Sequence, residues 1–110
     1  MTDTEFKDVV NRIKDRLDFL CDIKGKEYST EQDRLSTFKR TAALEKNQPE
    51  QALLHMVAKQ IISLFDIVDS LTPDTKPHPD GLLEKTGDVI VYMILLQALI
   101  EERYYVKQDR

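Results

Sequence analysis

The sequence predicts an all-α protein: an antiparallel four-helix bundle of two long core helices, one amphipathic helix and one short helix. Three observations predict it. Apolar residues recur at spacings of three and four along several segments. Glycine and proline number only three and four in 110 residues, too few turn formers for an all-β chain of this length. No segment shows a strand pattern, and no internal repeat is present.

The first helix is predicted over about residues 4–23, where Phe6, Val9, Val10, Ile13, Leu17 and Leu20 share a face. Thr2 and Glu5 have the spacing of a capping box, and Gly25 between Lys24 and Lys26 is the expected stop. The second helix, about 30–45, is the short one. It opens on a Ser29–Gln32 capping box and carries a narrow stripe of Leu35, Phe38, Ala42 and Ala43.

The third helix is predicted over about 49–71, with Pro49 at its first position. Leu53, Leu54, Val57, Ile61, Leu64, Phe65, Val68 and Leu71 are joined by Met56, Ile62 and Ile67. That is more than one stripe, so this helix is expected to pack on two sides. The second side suggests burial by another subunit, as a homodimer or a dimer of dimers. "TPDTKPHPDG" (72–81), with three prolines within seven residues, is the clearest loop. Asp80 is the expected cap of the fourth helix, about 81–106, and residues 107–110 are expected to fray.

Residues 1–110 form one domain on this reading, with 41% apolar and 33% charged residues. The net charge of −4 argues against a duplex nucleic-acid partner but leaves room for a local basic pocket. Cys21 is the only cysteine, which excludes an intramolecular disulfide and fits a reducing cytoplasm. The acidic, amphipathic start does not read as a signal peptide. The longest apolar run, "VIVYMILLQALI", is too short to span a bilayer, so no membrane partner is expected.

Two polar stripes carry the candidate chemistry. Lys59, Ser63 and Asp66 fall on one face of the third helix, and Glu84, Asp88 and Tyr92 on one face of the fourth. Antiparallel pairing across a short loop would bring Asp66 to Lys85 or Glu84, Ser63 to Asp88 and Lys59 to Tyr92. Asp66, Glu84 and Asp88 are then candidate Mg²⁺ ligands, and Lys59, Ser63, Lys85 and Tyr92 candidate ligand-binding residues. The same acids also read as helix-start charges that favour the helix dipole.

The stretch "KGKEYSTEQDRLSTFKR" (24–40) concentrates cations. Lys26 and Lys39 are candidate phosphate contacts, and Tyr28 a candidate base-stacking residue. A solvated loop and helix face is the alternative. His55, which has no partner at metal spacing, and the loop residue His78 read as surface or boundary residues. Met56 and Met93 read as core. Tyr104 and Tyr105 either form an interface or close the bundle.

"EKTGDVIVYMILLQAL" resembles the acidic-turn helix of MazG-like all-α nucleotide pyrophosphatases. With "KGKEYSTEQDRLSTFKRTAAL" and "KQIISLFDIVDS", the chain more closely resembles small bacteriophage proteins distantly related to that group, over about residues 20–100. The resemblance implies an oligomeric helical bundle handling nucleoside phosphates, in the host cytoplasm if phage-encoded. The enzymes of the family use two acidic pairs on successive helices to hold Mg²⁺. Glu84 and Asp88 match part of the second pair, while Lys85 stands where an acid is expected. Lys59, Ser63 and Asp66 stand where the first pair would be. The resemblance therefore implies a protein that binds a nucleotide without catalysis or a cofactor; sequestration of a cyclic nucleotide is an expectation from phage context and not from a matched motif. A Mg²⁺-dependent nucleoside triphosphate pyrophosphatase and a non-catalytic oligomeric interaction protein are the alternatives.

Overall fold

The computed structural model describes residues 1–22 and 33–105. Four helices make up the described chain: α1 (Asp3–Asp22), α2 (Ser36–Glu45), α3 (Pro49–Asp69) and α4 (Pro79–Tyr104). No strand forms among the described residues; the loop before α4 holds only an isolated bridge between Thr72 and Thr75.

Local chemistry sets the helix ends. At the start of α1 the Glu5 amide donates to Thr2 Oγ1 at 3.1 Å, one half of the expected capping box. The Ser29–Gln32 box and the Gly25 stop lie outside the described residues. The described α2 starts at Ser36, where Asp33 Oδ1 accepts from the Leu35 amide at 2.9 Å. It ends at Lys46, whose φ of 58° turns the chain into α3. Pro49 opens α3 as expected, behind a capping box between Gln48 and Gln51. For α4 the expected cap is corrected. Pro79 takes a first-turn position, His78 precedes it, and Asp80 lies inside the helix. Proline has no amide hydrogen to satisfy there, so it displaces the start two residues earlier than a carboxylate cap would.

Helices α3 and α4 pack antiparallel, and Arg103 near the end of α4 reaches Glu50 at the start of α3 (3.1 Å). Helix α2 folds back on α3. Leu35, Phe38, Leu53 and Leu99 form the centre of this part, with Met56, Tyr92, Leu95 and Leu96 packed around them. Helix α1 packs on α4 alone, and among the described residues no close backbone approach joins α1 to α2 or α3. It runs in the same direction as α4: Arg12, Arg16 and Phe19 share a groove with Leu83, whereas Cys21 lies beside Val91 and Leu95. An up-down-up-down bundle would set these two helices antiparallel.

Gly87 permits the α1–α4 approach. A Cβ at that position would lie 2.9 Å from Arg16 Cγ and 3.3 Å from Leu20 Cδ1, inside van der Waals contact. Leu20 is fully buried in consequence. The core as a whole is thin. The buried apolar residues among those described are Leu20, Leu35, Phe38, Ala42, Ala52, Leu53, Val57, Val91 and Leu99. The shape is elongated, 55 × 30 × 22 Å, with a Cα radius of gyration of 16.6 Å. A compact domain of this length has about 13 Å.

Replacing Gly87 by leucine is expected to part α1 from α4 and lower the unfolding free energy by about 1–3 kcal/mol, the usual cost of overpacking. Urea denaturation followed by circular dichroism measures this, and the midpoint should fall while α2–α4 remain helical.

Candidate functional site

Helix α3 turns Ala52, Leu53 and Val57 inward, and this decides where its polar residues go. Gln60 continues that inward face. Its Oε1 lies 3.5 Å from the Lys85 ammonium of α4. Lys59 precedes it by one residue and is rotated about 100° away, into solvent. Asp66 is exposed with it. Ser63 is half-buried, and its hydroxyl donates to the Lys59 carbonyl at 3.2 Å, a bond within its own helix.

On α4 the second stripe divides. Glu84 is exposed, Tyr92 packs against the core cluster, and Asp88 is buried with 8% of its surface accessible. Asp88 follows Gly87, the residue that faces α1. Lys59 and Asp66 of the one stripe and Glu84 of the other thus face solvent. Side-chain bonds between the two helices join Gln60 to Lys85 and Glu50 to Arg103. Among the described residues no group of three or more His, Cys, Asp or Glu side chains is placed to hold a metal ion, so Asp66, Glu84 and Asp88 do not form one.

The basic stretch meets the structure at its C-terminal end only. Lys26 and Tyr28 lie outside the described residues. Lys39 is half-buried, and its ammonium pairs with Asp33 Oδ2 at 2.7 Å and Glu102 Oε1 at 2.6 Å. The bond from Lys39 holds the Asp33 carboxyl below its ordinary pKa, and the bonds to Asp33 and Glu102 raise that of Lys39. Both carboxylates already engage this cation, and it ties the start of α2 to the end of α4. Arg34 next to it donates from Nη2 to the Cys21 carbonyl at 2.7 Å, satisfying a backbone acceptor in the last turn of α1.

These residues edge a cavity of about 380 Å³. Cys21, Leu35, Val91, Leu95 and Ala98 supply apolar wall, with Asp33, Arg34 and Glu102 at its polar side. Its volume falls within the range of small-molecule pockets.

The outer face of α3 is apolar. Leu54, Ile61, Ile62, Phe65, Val68 and Leu71 are all exposed, Phe65 at 64% and Val68 at 60%. By length and composition α3 is also apolar enough to cross a membrane, and with only 17% of its most apolar window buried it is not an ordinary core helix. Lys59 stands at the midpoint of that helix. A lysine at a bilayer centre costs about 2.5–3.5 kcal/mol on insertion scales. Met93, expected in the core, is 40% exposed, because α4 is covered by α1 and α3 on only part of its circumference. Tyr104 and Tyr105 are exposed and do not close the bundle. His55 is exposed, with Nδ1 3.5 Å from Glu45 Oε2.

Comparison with protein-family models, curated proteins and solved structures finds no match for this chain.

The Lys39 cluster carries a pH dependence of defined sign. Asp33 has a lowered pKa, so its contribution is present above the unfolded carboxylate value of about 3.9 and is lost as pH falls through the lower folded value. Lys39 has a raised pKa, so its contribution is present below the unfolded value of about 10.4 and is lost as pH rises through the higher folded one. Thermal melting of Lys39→Met against wild type should show a difference at neutral pH that shrinks in strong acid and in strong alkali. Its size should stay within about 1 kcal/mol, because these partly solvated pairs are screened.

Proposed function

We propose that this chain is a self-associating helical interaction protein whose working form buries the outer face of α3 between subunits. The observation that carries this reading is the unbroken row of exposed apolar side chains on α3, from Leu54 to Val68, in a chain with little core of its own. The chain exposes 8210 Å² at 12.8 kDa, where a folded monomer of that mass exposes about 6,300 Å². The higher area goes with the elongated shape and the thin core. The resemblance to MazG-like proteins, with its implied oligomeric bundle, points the same way. On this reading the four-helix packing expected from the sequence is completed between copies.

A second reading rests on the cavity beside Arg34. Its apolar walls suit a planar ring, and Arg34 is positioned to reach an anionic group. A nucleotide or nucleotide-derived signal has that chemistry, and the resemblance to phage relatives of the MazG-like group supports it. Binding there would need no metal and no hydrolysis.

Light scattering on the eluting protein should give at least twice the 12.8 kDa chain mass. Phe65→Asp should reduce it to the monomer, because two aspartates cannot be desolvated together. For the second reading, thermal melting against linear and cyclic nucleotides, with and without Mg²⁺, should show a Mg²⁺-independent rise that Arg34→Ala removes.

A further inference from the structure

Along the outer face of α3, Leu54, Ala58, Ile61, Phe65 and Val68 follow one another at steps of four, three, four and three. This is the heptad alternation of a coiled-coil seam, and every one of the five is exposed. No charged residue interrupts it. The residues along one border of the seam, in the position following each second seam residue, are His55, Ile62 and Asp69, spaced by seven. They too are exposed. The opposite border, Val57 and Leu64, turns toward the protein's own core.

Resting on the self-association just proposed, we infer that the occupant of this seam is α3 of a second copy, docked antiparallel about a two-fold axis at Ile62. In an antiparallel coiled coil the two core positions of the heptad face each other, and like border positions meet across the seam. Ile61 then packs on Phe65 of the other copy and Ala58 on its Val68. Ile62 meets Ile62 at the axis. His55 and Asp69, seven residues to either side of Ile62, fall beside Asp69 and His55 of the other copy, giving two symmetric hydrogen-bonded pairs. Farther out, Lys59 and Asp66 of the two copies also lie on opposing sides with opposite charge.

The pattern is self-complementary, which is what an isologous interface requires of a single surface patch. A parallel pairing would instead set Asp69 beside Leu64 and separate His55 from Asp69 by about 21 Å along the helices. A bilayer would place Lys59 at its centre. His55 also lies near Glu45 of its own chain, so the imidazole is positioned between two acids in the dimer.

Sedimentation equilibrium of the full chain tests the proposal, with circular dichroism to verify that each variant stays helical. Ile62→Glu and Ile62→Lys should each weaken the dimer by at least about 100-fold, and an equal mixture of the two should restore it, because opposite charges then meet at the axis. His55→Glu, facing Asp69 and its own Glu45, should weaken the dimer about 3- to 10-fold. Adding Asp69→Lys in the same chain should recover the loss. A wild-type chain that stays monomeric up to about 100 μM, or that associates only with phosphatidylcholine vesicles, would sink the self-association reading itself. A wild-type dimer unaffected by Ile62→Glu would place the interface on another face. A dimer lost in the Ile62 variants but not restored by their mixture, or not recovered by Asp69→Lys, would leave the self-association standing and overturn the antiparallel two-fold.

Discussion

Helix α4 bears two partners that do not touch each other, and the arrangement of the chain depends on this. On one side α3 closes on it antiparallel with α2 folded behind. On the other, α1 approaches in the same direction, over the bare backbone of Gly87. A helix contacted from two sides must be apolar around more of its circumference than an ordinary surface helix. That accounts for the long apolar run at its centre. It also accounts for the limited core: with α1 and α3 held apart by α4, apolar faces that would meet in a closed bundle stay separate.

Where apolar burial is scarce, a few polar ties set the geometry. Lys39 joins the approach to α2 with the last turn of α4 through Asp33 and Glu102. Arg103 joins the end of α4 to the start of α3 through Glu50. Arg34 holds the last turn of α1 by the Cys21 carbonyl. All three act near the C-terminal half of α4, around the buried Phe38 and Leu53. The opposite end, from Phe65 through the proline loop, has no comparable group of buried side chains. The exposed seam on α3 extends toward that end.

Among the described residues the four expected helices were legible in the sequence, because periodicity is local, but their starts less so: the second begins at Ser36 where about residue 30 was expected, and α4 begins two residues early at Pro79. Pro49 fixed the start of α3, and the two-sided apolarity of α3 announced a face left outside the fold. The candidate site was less legible. Pairing Lys59 with Tyr92 and Ser63 with Asp88 required the helix register, and an error of one residue turns a side chain by about 100°. Gln60, a neutral residue with no chemical signature, holds the place beside Lys85 that the reading gave to Asp66. Asp88 is buried because Gly87 beside it lets α1 approach, a long-range contact that no local pattern encodes. The longest unbroken apolar run lies in α4, but the helix apolar enough over its length to cross a membrane is the shorter α3. Lys59 and Asp66 break its run into shorter pieces, although its mean hydropathy stays high.

The pairing of α1 with α4 alone has a consequence for synthesis on the ribosome. The first helix made has the last helix as its packing partner among the described elements. At about 5–20 residues per second, the interval between them is several seconds. Throughout it, Leu20 and the apolar face around it have no native surface to cover them. Meanwhile α2 and α3, neighbours in sequence, can already fold on each other. The order of assembly is thereby inverted relative to the order of translation, and α1 spends that interval as the segment most open to chaperone capture or mispairing.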